Sequence, residues 1–107
     1  VGKLVYNAHG HSFDIEDRTL FHLRVIVMNK LRRGEPFMFH HNPGDGSGSR
    51  SLWFHPAIPL VFHFYGSRQP ALNRRWVEEL MREANGPSGL VIVPEPDADA
   101  PLPPERG

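Results

Sequence analysis

Apolar and polar residues alternate from the start of the chain, with Leu4 and Tyr6 on one side and Lys3, Val5 and Asn7 on the other. His9-Gly10-His11-Ser12 interrupts the alternation and Phe13 and Ile15 resume it, which predicts a β-hairpin with Gly10 near its turn. The period then lengthens. Leu20, Leu23, Val27 and Leu31 recur at helical spacing with Ile26 and Met28 on the flanks, so a helix is expected from Asp17, as its N-cap, to about Arg33. Arg18, His22, Asn29, Arg32 and Arg33 fall on the opposite, polar side, and Gly34 and Pro36 end the helix.

Aromatic-rich runs follow near 36–41, 50–55 and 59–65, the first two separated by a Gly/Ser-rich loop. Alternation assigns Phe37, Phe39, Leu52, Phe54, Leu60, Phe62 and Phe64 to a core face. Met38, His40, Trp53, His55, Val61, His63 and Tyr65 go to the other. Pro56 and Pro59 cannot donate to a ladder and mark a strand junction or an edge. A second helix is announced by Asn73 as N-cap, Leu72 placed to staple onto Val77, and an apolar stripe of Trp76, Val77, Leu80, Met81 and Ala84. Gly86 and Pro87 stop it, and Leu90-Val91-Ile92-Val93 reads as a last strand. The expected order is β-β-α-β-β-β-α-β, an α+β fold with two helices on one face of a mainly antiparallel sheet.

Composition narrows the class. A chain of 107 residues with 39% apolar and 22% charged residues fits one globular domain and has no apolar run long enough to span a bilayer, so no membrane partner is expected. No positively charged start followed by an apolar segment is visible, and the expected location is cytoplasmic. Zero Cys leaves His and carboxylates as the available metal ligands. The formal charge of zero hides an asymmetry: residues 94–107 carry Glu95, Asp97, Asp99 and Glu105 against Arg106 alone, a net of −3, so residues 1–93 hold +3. We expect a folded α+β domain over 1–95 and a disordered, acidic, Pro-rich tail over 96–107. Such a tail would compete electrostatically with an anionic partner for the basic body.

Arg50, Trp53, Arg68, Arg74 and Arg75 are the candidate nucleic-acid-binding residues, because cations meet phosphates and aromatic rings stack on bases. Trp53, His55, His63 and Tyr65 would share a face flanked by Arg50 and Arg68 if their strands are neighbours. Two arginines at a helix start offer a phosphate site, or pair with Glu78 and Glu79 one turn on. Lys30-Leu31-Arg32-Arg33 is the densest basic cluster and suits the negative end of its own helix dipole. His40, His55 and His63 would converge on a metal if three successive strands pair in register, although no metal-binding spacing is present. No catalytic residue is assigned. There is no G-x-S-x-G elbow, and the Gly-rich stretch at 44–48 lacks the G-K-[ST] ending of a phosphate-binding loop, so no cofactor is expected.

Several short motifs occur in order: Gly2-Lys3-Leu4, Lys30-Leu31-Arg32-Arg33-Gly34-Glu35, Trp53-Phe54-His55-Pro56-Ala57-Ile58-Pro59-Leu60, Gly66-Ser67-Arg68, Leu72-Asn73-Arg74 and Val93-Pro94-Glu95-Pro96. Over residues 2–96 the chain thereby resembles a family of small actinobacterial proteins of unknown function, often labelled ATP-dependent DNA ligase. That label implies an association with DNA metabolism. It does not imply ligase chemistry here, since the K-x-D-G lysine that attacks ATP is lacking: Lys3 is followed by Leu-Val-Tyr and Lys30 by Leu-Arg-Arg. Nor do 107 residues house a nucleotidyltransferase domain with its second domain. The reading is a non-catalytic domain that binds nucleic acid. The alternatives are a protein-interaction module, including a homodimer, and a His-based metal-binding protein.

Overall fold

In the computed structural model, which describes residues 2–7, 11–44, 46, 48–66 and 68–97, the first alternation forms β1 (Gly2–Tyr6) and β2 (His11–Ile15). They pair antiparallel from Gly2↔Ile15 to Tyr6↔His11 and bury Leu4, Phe13 and Ile15. The expected turn at Gly10 and the acidic segment beyond Asp97 lie outside the described residues.

Helix α1 (Asp17–Arg32) covers this hairpin with Leu20, Leu23, Ile26 and Val27. Three of the expected positions differ. Glu16, not Asp17, is the N-cap, and it uses no side-chain bond. Asp17 lies in the first turn, where a carboxylate faces the positive end of the helix dipole, and its Oδ2 accepts the backbone N–H of Gly66 at 3.0 Å. Ile26 is fully buried rather than flanking, while Met28 is 60% exposed. His22, expected on the polar side, is completely buried because a second element packs over it.

Strands β3 (Phe37–His41) and β4 (Arg50–Phe54) pair antiparallel, placing Phe37, Phe39, Leu52 and Phe54 together in the core. Strand β5 (Leu60–His63) leaves that ladder. Instead of continuing beside β4 it pairs antiparallel with β1, with Leu4 opposite Phe62. The expected continuous sheet is therefore two three-stranded sheets, ordered β2-β1-β5 and β4-β3-β6. The break falls at Pro56 and Pro59, where Ile58 N–H donates to the His55 carbonyl at 2.9 Å and turns the chain across. Tyr6 stitches the sheets: its hydroxyl donates to the Trp53 carbonyl at 2.7 Å, and its ring lies 6.2 Å from that of Phe54.

Helix α2 (Arg74–Asn85) is capped as expected, Asn73 Oδ1 accepting Trp76 N–H at 3.2 Å, and it buries Trp76, Leu80 and Ala84 against α1 and the second sheet. Strand β6 (Leu90–Val91) then adds to β3, in parallel. The approach requires Gly89, at φ +90°, because a Cβ there would lie 2.6 Å from the Met38 carbonyl oxygen. Lys30 closes the far end of the helix pair. Its Nζ is 2.6 Å from Asn85 Oδ1 and 3.3 Å from Glu35 Oε1, so this lysine of the basic cluster is buried and partnered.

Candidate functional site

One face of α1 carries Asp17, Phe21 and Arg24, spaced so that each stands about one turn above the last. The chain leaving β5 passes this face as Phe64, Gly66, Arg68, Gln69 and Pro70, and the two walls enclose a cleft of about 220 Å³. Arg24 is its centre. The guanidinium carbon lies 5.4 Å from the Phe21 ring centroid and 5.1 Å from that of Phe64, within the range of cation–π attraction. Arg24 Nε is buried and has no hydrogen-bond partner among the described residues. Neither Arg24 nor Arg68 is ion-paired among those residues.

Asp17 anchors one side of the cleft. Its Oδ2 is bound to Gly66 N–H, and both neighbouring backbones approach so closely that only glycine fits easily. A Cβ on Gly66 would lie 3.0 Å from Oδ2, and one on Gly2 would meet Oδ1 and the His63 carbonyl, each at 2.8 Å. The carboxylate thus ties α1 to the segment after β5 through Oδ2, while Oδ1, buried without a hydrogen-bond partner among the described residues, lies against β1.

A second polar cluster lies where the two helices begin. His22 Nδ1–H donates to the Arg18 carbonyl at 2.7 Å, while Nε2 accepts Asn73 N–H at 2.9 Å, which defines the neutral imidazole. Burial pushes its pKa below the ordinary value of 6.5. Arg18 grips both oxygens of Glu95, through Nε at 2.7 Å and Nη2 at 2.5 Å, and Asn73 Nδ2 donates to Glu95 Oε2 at 2.8 Å and to the Pro96 carbonyl at 3.0 Å. The bonds from Arg18 and Asn73 hold the Glu95 carboxyl at about 2, well below the usual 4.5. Trp76 Nε1–H adds a bond to the Val93 carbonyl at 3.0 Å. The anion beside the start of α2 is therefore the chain's own Glu95.

The five residues proposed from sequence do not form one patch. Arg50 and Trp53 stand three apart on β4 and so face opposite ways: Arg50 leans over the Phe13 ring at 5.9 Å, while Trp53, 46% exposed, lies outside beside Met38. Arg68 lines the cleft. Arg74 is exposed, whereas Arg75 is only 9% exposed, with Nε and Nη1 lacking partners among the described residues. Neither pairs with Glu78 or Glu79.

The premise of a three-strand histidine cluster does not hold, because His63 belongs to the other sheet. There its ring lies 4.4 Å from that of Tyr65, tilted by 36°. His40 is held between Ser51 Oγ at 2.8 Å and the Ser88 carbonyl at 2.6 Å, and His55 Nδ1 accepts Ala57 N–H at 3.0 Å. Among the described residues no three His, Asp or Glu are placed to hold a metal ion. No helix there is long and apolar enough to cross a membrane.

Alternation assigns Phe64 to the core face rather than to a site, and sequence reasoning gives Phe21 and Arg24 no role. The available signal was an arginine one turn after a phenylalanine on the helix face that also carries Asp17. Comparison with curated proteins and with solved structures finds no match. A family model described as a domain of unknown function, DUF7882, matches residues 1–95. Since that match spans both sheets, both helices and the cleft beside α1, the chain belongs to the DUF7882 family.

Proposed function

We propose that this chain is a small non-catalytic binding domain for nucleic acid, with the Arg24–Arg68 cleft as its site. The supporting observation is the guanidinium of Arg24, near two phenyl rings and lining one cleft with a second arginine, with no carboxylate paired to either among the described residues. Cations without internal partners suit a phosphate backbone, and aromatic or guanidinium planes suit bases. Arg50 and Arg74 lie away from the cleft and Arg75 is nearly buried, so none of the three belongs to the site in this reading. The folded unit in this reading runs over 1–95, with the acidic tail following.

The test is fluorescence anisotropy with labelled oligonucleotides at about 50 and 200 mM salt, where counterion release predicts a steep loss of affinity. Binding that weakens with salt and is reduced by Arg68→Ala supports the reading. No binding at tens of micromolar refutes it.

A second reading rests on a different surface. Met38, Trp53 and Val91 share the outer face of the second sheet, Trp53 and Val91 being about half exposed, and such a face suits a protein partner or a second copy of the chain. Light scattering that gives the mass of one chain at every concentration would exclude the homodimer.

A further inference from the structure

Resting on the nucleic-acid reading above, we infer that the Arg24 cleft takes one unpaired nucleobase, so that the domain prefers single strands to duplexes. Three features of the cleft carry this.

The first is size. A volume of about 220 Å³ is below the range of pockets that enclose a whole drug-sized molecule, and it suits a single flat group. A base in a duplex is stacked above and below and offers no such group, whereas an unstacked base does.

The second is the nature of the walls. Phe21 and Phe64 supply aromatic surface to the cleft, and the Arg24 guanidinium carbon lies 5.4 Å and 5.1 Å from their ring centroids, so rings and cation stand side by side before any ligand arrives. Stacking on a ring already in place loses little side-chain entropy on binding. A bare phosphate or an aliphatic carboxylate would gain nothing from phenyl walls.

The third is the placement of charge. Asp17 lines the cleft with its carboxylate against Gly66 and Gly2, so a second anion is repelled from that side. Arg68 is exposed. The phosphate therefore belongs with Arg68 and the neutral base with the rings, and the exposed Gln69 amide on the same lining offers a donor and an acceptor to the base edge.

The experiment compares one labelled oligonucleotide as a single strand and as a duplex, against the full chain and the variants Phe64→Leu and Gln69→Ala, with inorganic phosphate as competitor. Phe64→Leu keeps an apolar side chain at a half-buried position, and Gln69 is exposed, so a thermal melt will find both folded. We expect the single strand to bind about tenfold more tightly and Phe64→Leu to remove most of that preference, as loss of one stacking contact predicts. Gln69→Ala should shift the ranking among single strands of different base composition, and millimolar phosphate should compete weakly. Equal binding of both forms, unchanged by Phe64→Leu, would overturn the inference while leaving the nucleic-acid reading intact. Absence of binding to either form would overturn that reading itself, and the inference with it.

Discussion

His22 Nε2 accepts the backbone N–H of Asn73 from 2.9 Å, so the residue that caps α2 is itself held by a buried side chain of α1. The bond needs a neutral ring, since a protonated imidazole has no acceptor.

Stability should therefore fall in mild acid. The folded pKa of His22 lies below the unfolded value of 6.5, so below about that pH the unfolded chain binds the proton more readily than the folded one. The contribution is complete above this value and is lost as pH falls towards the folded pKa. Urea melts between about pH 8 and pH 5 should show the decline, and His22→Gln should flatten it on a lower baseline; an identical slope in both proteins would exclude His22 as its source.

Glu95 gives a second, more acidic window. Its carboxyl, ordinarily near 4.5, is held at about 2, so its contribution is present above pH 4.5 and lost as pH drops towards 2. Glu95→Gln should remove this part of the acid transition. Glu95→Ala should cost about 1 kcal/mol at neutral pH, a modest figure for a partly exposed pair, and should raise hydrogen exchange at the start of α2.

Asn73→Ala removes the N-cap acceptor together with both bonds to the C-terminal segment. The cap alone is worth about 1 kcal/mol, and the added losses should bring the total to about 2 kcal/mol in a urea melt. A cost below half of that would show that water replaces those contacts.

Gly2→Ala should be more damaging than a first strand residue suggests. The new methyl would lie 2.6 Å from Leu20 Cδ2 and 2.8 Å from the His63 carbonyl, and the backbone there cannot yield cheaply. We expect a loss of about 1–3 kcal/mol in thermal or chemical denaturation.

Charge at the cleft can be separated from charge elsewhere. Arg68→Ala should weaken oligonucleotide binding and lower the salt slope by about 1, whereas Arg50→Ala, on β4, should change neither. Removal of residues 98–107, which leaves the Asn73–Pro96 bond in place, should tighten binding at low salt and matter less at high salt if the acidic tail competes. Unchanged affinity in the truncation would remove the tail from the account.

The periodic segments were readable because their signals are local. Leu20, Leu23 and Val27 face inward at helical spacing, and Phe37, Phe39, Leu52 and Phe54 share a face by alternation alone. Partner choice is not local. Leu60 and Phe62 would alternate in the same way beside β4 or beside β1, so the division into two sheets left no mark beyond Pro56 and Pro59. His22 looked like a surface residue because its use depends on the amide of Asn73, which comes much later in the chain. The cleft was hidden for the same reason: Arg24 gains its second ring from Phe64, and nothing near Arg24 in sequence foretells it.

The pairing of β1 with β5 also sets an order of events. The β1–β2 hairpin can form once residues 2–15 have left the ribosome, but its inner strand waits for residues 60–63, and the Lys3↔His63 register is among the longest connections in the chain. At about 5–20 residues per second on the ribosome that wait is several seconds, during which β3 and β4 can close their own hairpin. Until β5 follows, β1 presents one open edge to any other nascent chain, and β3 waits longer still, for β6.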